Sequence, residues 1–200
     1  PNRPLKDGVI AQLETTEIML DYFIKKVLGK NIFLRPKIII CCPTNIIGVE
    51  KNAIREAAEK IGAKKVYIEE EPKAAALGAG LEISAPSGSM VVDIGGGTTE
   101  VAVLSLGGIV TSASIKIAGN TFDKDITKYI KDKYKLLIGE RTAEEIKIQI
   151  GSVFNDTNEK MDVRGRNLVT GLPHTIHVTS SEIKDALSDS ALSIVRTVKN

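Results

Sequence analysis

Val91-Val92-Asp93-Ile94-Gly95-Gly96-Gly97-Thr98-Thr99-Glu100-Val101-Ala102-Val103 is the stretch on which the fold turns. An apolar strand ends in an aspartate, three glycines reverse the chain, and a second strand leaves through two hydroxyl side chains. Three consecutive residues without Cβ let backbone N–H groups converge on an anion, since nothing holds its oxygens away and unusual backbone angles are cheap. Gly95, Gly96, Gly97 and Thr98 therefore read as a phosphate cradle. The Gly-x-x-x-x-Gly-Lys-Ser/Thr spacing of a Walker loop is missing, and a strand rather than a helix follows, which excludes a dinucleotide fingerprint. Asp93, beside the glycines, is placed to hold a hard divalent cation through water, as a nucleotide phosphate requires.

Thr99 to Leu106 and Ile109 to Ala118 are strands in immediate succession after Met90 to Ile94, and Gly107-Gly108 has the chemistry of a two-residue hairpin turn. Phe122 to Tyr134 and Ala143 to Val153 carry helical periodicity, the second with a capping box from Thr142 and Glu145. Strands over 163–169 and 175–178 follow, and Thr179 with Glu182 opens a last helix to Val198. On the N-terminal side, Glu14 to Leu28 reads as an amphipathic helix, and the β-branched run Lys37 to Cys42 as a strand of a parallel sheet, buried on both faces. Val49 to Ile61 is helical, Lys65 to Glu69 a strand, and Ala74 to Leu81 a helix with Pro72 in its first turn. Strand and helix alternate here as in half of an α/β domain.

Glu69-Glu70-Glu71-Pro72 places a carboxylate, fixed by proline, at the start of that helix. Such a group can orient water for attack on a terminal phosphate, or serve only as a dipole partner of the helix. Gly29 to Lys37 holds Ile32, Phe33 and Leu34 between cations, which suits either dipping into an anionic membrane surface or packing back on the preceding helix.

The 200 residues carry 27 Lys and Arg against 25 Asp and Glu, a balance without the basic excess of a nucleic-acid binder. Cys41 and Cys42 are adjacent, neither a disulfide framework nor a spaced metal site, and read as small buried or strand-face residues of a reducing compartment. No run approaches the about 20 apolar residues of a membrane span, and no signal peptide opens the chain. A cytoplasmic location is expected. Pro1 rather than Met stands first, so the chain reads as a fragment.

Together these segments resemble the actin, Hsp70 and sugar-kinase ATPase superfamily, and more closely the bacterial actins of the MreB family with its Mbl paralogues. The resemblance rests on Glu70-Glu71-Pro72 with Ala74 to Ala76, Asp93 to Glu100, Ile117-Ala118-Gly119, Ile138 to Glu144, and Gly165-Arg166 with Thr170 to Pro173, in that order. It implies an incomplete actin-like (ribonuclease H-like) α/β fold, two subdomain halves around a nucleotide cleft. Residues 1–86 would belong to subdomain IA, 87–118 to IIA, 119–187 to IIB, and 188–200 to the start of a return helix into IIA.

Carried over by position, the resemblance makes Gly95, Gly96, Gly97 and Thr98 the second phosphate loop, Asp93 the Mg²⁺ support and Glu71 the water-orienting carboxylate. Gly119 would lie against the nucleoside, and Glu144 and Lys147 would reach the ribose, from positions that share a helix face. Asn120 replaces the family's usual Asp and Lys73 its usual Met. Ile32 and Phe33 fit the family's membrane loop.

The implied parent protein binds ATP and Mg²⁺, polymerises beneath the inner membrane as a peripheral cytoplasmic filament, hydrolyses ATP slowly, and maintains cell shape with cell-wall synthesis proteins. The first phosphate loop of the superfamily does not occur in these residues, so the isolated piece is expected to bind ATP weakly or not at all and to be inactive. A sugar- or acetate-type kinase of the same superfamily, and a scaffold with a decayed nucleotide site, are the rival readings.

Overall fold

A computed structural model describes residues 5–6, 9–10, 12–29, 35–155 and 157–200, with side-chain environments from residue 12 onward except that of Leu13. The chain divides into two units, Pro1–Lys116 and Ile117–Asn200.

In the first unit, β1 (Leu5–Lys6) and β2 (Val9–Ile10) form a short antiparallel pair ahead of α1 (Leu13–Leu28). β3 (Lys37–Cys42) and β4 (Lys65–Glu70) run parallel, Cys42 opposite Glu70, with the crossover through α2 (Gly48–Lys60). Glu50 closes the start of α2 by accepting the Ile47 N–H at 3.1 Å. Then come α3 (Glu71–Gly78) and the antiparallel sheet β5 (Ser89–Ile94), β6 (Thr99–Ser105) and β7 (Gly108–Ile115).

The parallel pairing of β3 agrees with its sequence; its expected burial on both faces does not. Ile40, Cys42 and Ile68 pack with Ile54 of α2, whereas Ile39 on the opposite face is 68% exposed. A β-branched run encodes fit to a pleated surface, not the presence of a second cover. Cys42 is buried and Cys41 lies on the open face, so the pair divides between the two positions expected for it.

Two local details also differ. The hairpin turn is Leu106-Gly107, both with positive φ (52° and 76°), and Gly108 already pairs with Ser105. The Leu106 and Gly107 N–H groups donate to the carbonyls of Ala85 and Ile83, at 3.1 and 2.7 Å, which draws the turn one residue earlier than the glycine pair indicates. Helix α3 ends at Gly78 rather than Leu81, because the chain folds back and the Leu81 N–H donates to the Ala76 carbonyl at 3.0 Å.

The second unit holds α4 (Gly119–Tyr134), β8 (Leu136–Leu137), α5 (Glu140–Ile150), β9 (Lys160–Asn167), β10 (Pro173–Thr179) and α6 (Ser180–Lys199), with sheet order β10-β9-β8. Ile126 and Ile130 of α4, Ile146 and Ile150 of α5, and Ile183 and Leu187 of α6 recur at i, i+4, so each helix turns one stripe onto Val163 and Val178 of the sheet. The Thr179–Glu182 capping box forms. The Thr142–Glu145 box does not: α5 starts at Glu140 with Gly139 as its cap, which leaves Thr142 inside the first turn.

A Cβ at Gly165 would lie 2.5 Å from the Leu137 carbonyl oxygen and 2.9 Å from the Leu136 side chain. Both obstacles belong to the partner strand and its buried side chain, so the site cannot relax cheaply. Gly165→Ala is expected to destabilise the second unit by about 2 kcal/mol, read by urea unfolding.

Candidate functional site

Strand β5 delivers Asp93 and strand β6 delivers Glu100, and the two are directly opposite in the antiparallel register. Cross-strand partners share a face, here the face whose Ala102 and Leu104 pack with Ala76 of α3. Between the strands, the Gly95 N–H donates to the Thr98 carbonyl at 2.9 Å and closes the turn. An added Cβ on Gly95 would stand 3.4 Å from that same oxygen, an ordinary contact. With its N–H used inside the turn, the anion-binding reading rests on Gly96, Gly97 and Thr98. Gly96 is exposed, Gly97 half-buried and Thr98 buried.

Glu71 reaches the same region from β4. Glu70 ends that strand and caps α3, Glu71 is its first helical residue, and Pro72 holds the first turn. Burial pushes the Glu71 carboxyl above the usual carboxylate range, and the charges of Glu100 and Asp93 push it further the same way. The structure thus brings Glu71 and Asp93 together around a third carboxylate to which sequence reasoning assigned no role.

Glu100 is 1% exposed. Its Oε2 accepts from the Thr44 N–H at 3.2 Å and the Thr44 hydroxyl at 2.5 Å, and its Oε1 from the Ser114 hydroxyl at 2.5 Å. A signal was present in the sequence, a carboxylate leading directly into Val101-Ala102-Val103, but its partners lie 56 and 14 residues away.

A half-buried carboxylate with a raised pKa can accept a hydrogen bond from water and orient it. The donor set also suits Mg²⁺, which takes one or two carboxylates and completes its shell with water and phosphate oxygens. Asp93 offers such a carboxylate, and the described residues hold no ready-made cage of three or more ligands.

In the second unit, Lys147 of α5 is ion-paired with Asp123 of α4 at 2.8 Å and donates to the Gly119 carbonyl at 3.1 Å. Gly119 and Lys147 are therefore neighbours, tied by an aspartate that periodicity did not single out. Glu144, one turn before Lys147, is exposed. Lys73 pairs with Glu69 near the end of β4, at 3.3 Å, so this departure from the family pattern forms a surface ion pair. Ile32 and Phe33 lie outside the described residues. Among the described residues, no helix is long and apolar enough to cross a membrane.

The chain is 63% identical over 198 residues to the cell shape-determining protein Mbl of Bacillus cereus and 51% identical over 199 residues to the cell shape-determining protein MreB of Escherichia coli. It covers 98% of itself in both cases, but only 60% and 57% of those proteins' lengths. Among solved structures, MreB5 of Spiroplasma citri bound to ADP superposes with a TM-score of 0.93 at 41% identity, covering 99% of this chain and 60% of that one. The same protein bound to AMPPNP gives 0.89, covering 98% and 61%. The MamK double helical filament shares the fold alone, with a TM-score of 0.83 at 22% identity over 99% of this chain and 60% of that one. The fold is thus actin-like, and since the family model described as MreB/Mbl protein matches residues 2–200, this chain belongs to the MreB/Mbl family.

Proposed function

We propose that the protein containing this chain is a filament-forming, actin-like ATPase that maintains cell shape by organising cell-wall synthesis at the inner membrane. The observation that carries this reading is 63% identity, across 98% of the chain, to a cell shape-determining protein Mbl. Higher identity to that protein than to the MreB of Escherichia coli favours an Mbl-type member. Nucleotide binding is supported by the ADP and AMPPNP complexes of MreB5, which is 41% identical. Self-association into filaments and attachment to the cytoplasmic face of the membrane through Ile32 and Phe33 belong to the same reading.

Within this chain, the amides of Gly96, Gly97 and Thr98 would hold phosphate oxygens, and Asp93 would hold Mg²⁺ through water. Bound Mg²⁺ supplies charge neutralisation on the phosphates. Glu71 orients the attacking water, accepting its hydrogen bond, while Pro72 fixes the backbone at the start of α3. Glu144 would contact the ribose; Lys147, held by Asp123 and the Gly119 carbonyl, would act there by fixing Gly119 and the Glu144 helix face. The subdomain boundaries given by the resemblance stand as part of this proposal.

The test is sedimentation at the full length of the relatives, with and without ATP and Mg²⁺, together with phosphate release. Nucleotide-dependent pelleting with slow release of phosphate is the expected result. A soluble protein that binds no nucleotide would leave a scaffold with a decayed site, and phosphate transferred to an added sugar or acetate would make it a kinase.

A further inference from the structure

Glu100 is a fully buried carboxylate that the reading above does not use. Of its three hydrogen bonds, the one from Ser114 reinforces the β6–β7 ladder, in which Ser114 is its direct register partner, and the two from Thr44 reach the loop after β3, which no ladder joins to that sheet. The β3–β4 pair and the β5–β6–β7 sheet are separate sheets. Thr44 stands two residues beyond Cys42, and Cys42 is the register partner of Glu70, so the clamped loop emerges at the same end of the β3–β4 pair as Glu71. Asp93 is the direct cross-strand partner of Glu100. One buried side chain therefore ties both sheets together where the two candidate functional carboxylates emerge.

A buried ionised group without partners is expensive, and apolar packing would serve stability at least as well as a satisfied one. Its placement at this junction fits a demand for geometry. We propose that Glu100 is a positioning residue for hydrolysis: by clamping Thr44 and Ser114 it locks the β3–β4 end against the β5–β7 sheet and so sets where Glu71 stands relative to Asp93 and the glycine loop. This role rests on the ATPase reading. Displacement of an orienting group by an ångström costs turnover far more than it costs binding.

The experiment compares wild type, Glu100→Leu, Glu100→Gln and the double variant Thr44→Val with Ser114→Ala in the full-length protein. Phosphate release and Mg²⁺-ATP affinity are measured separately. Glu100→Leu is expected to lower kcat about 10-fold or more with affinity changed less than about twofold. Glu100→Gln keeps an acceptor for Thr44 and can donate to the Ser114 hydroxyl, so it is expected to retain kcat within about threefold. The double variant removes two of the three bonds without touching the buried charge, and a selective fall in kcat is expected there too; it decides the matter where Glu100→Leu does not fold. Thr44 amide exchange should accelerate in Glu100→Leu and not in Glu100→Gln.

Wild-type kcat in Glu100→Leu and in the double variant would overturn the positioning role alone. Equal losses of kcat and affinity would overturn it as well, since they mark a general loss of the fold. A wild-type protein that releases no phosphate would overturn the ATPase reading and, with it, this role.

Discussion

Glu71→Gln is expected to lower phosphate release by about 100-fold or more while leaving nucleotide binding in place, because the amide keeps the size of the side chain but replaces the charged, basic carboxylate that would polarise the attacking water with a neutral, weaker acceptor. The same substitution is expected to raise the melting temperature at neutral pH. The Glu71 carboxyl is pushed above its usual range by burial and by the charges of Glu100 and Asp93, so in the folded chain it binds a proton that the unfolded chain has already released. Stability attributable to this group is therefore present at low pH and declines as pH rises from the ordinary carboxylate value through the raised one. At neutral pH the ionised group is a net cost to the fold, which glutamine removes. Opposite movements of turnover and melting temperature mark a group kept for function. A melting temperature that falls, or turnover that survives, would contradict the assignment of Glu71.

Glu182→Ala is expected to destabilise the second unit by about 2–3 kcal/mol, the loss of a helix cap together with two side-chain hydrogen bonds. Glu182 is the third residue of α6 and its Oε2 accepts from the Thr179 N–H at 2.8 Å, closing the capping box. Its Oε1 accepts from the Tyr134 hydroxyl at 2.5 Å and from Lys133 Nζ at 2.6 Å, which fastens the end of α4 to the start of α6. Burial alone would raise the Glu182 pKa, but the bonds from Lys133, Tyr134 and Thr179 outweigh it and hold the value at about 2. The pKa is lower in the folded than in the unfolded chain, so this contribution is complete above the ordinary carboxylate value and is lost as pH falls from there towards about 2. Acid titration of thermal unfolding should show a steep loss between pH 4.5 and 2 in the wild type that is flattened in Glu182→Ala. The partner of the same clamp moves the other way: burial and the hydrogen bond to Glu182 raise the Tyr134 phenol to about 12.

Much of this was legible in the amino-acid order. The Asp93 strand, the glycine turn and the Thr99 strand are local features, specified by residues within a few positions of one another. The Thr179–Glu182 box was equally visible, since its two halves are three residues apart. The Thr142–Glu145 box had the same spacing and failed, because the helix starts earlier, at Glu140, under Gly139. The hairpin shifted to Leu106-Gly107 for a comparable reason: carbonyls from residues 83 and 85, about twenty positions upstream, claim its N–H groups. Asp123 showed no sign in its own helix of the bond to Lys147.

By itself, then, the sequence determined the order and type of the longer helices and strands, though not the two-residue strands β1, β2 and β8, together with the parallel geometry of β3, the glycine-turn pattern, and the motif order that marks the MreB/Mbl family. Each of these follows from residue type and spacing over short stretches. Only the tertiary structure decided that Ile39 faces outward, that Glu71, Asp93 and Glu100 form one carboxylate group, and that Thr44 and Ser114 clamp Glu100. Covering a sheet face, raising a pKa by burial and satisfying a buried charge all depend on atoms that residues far apart in sequence bring together.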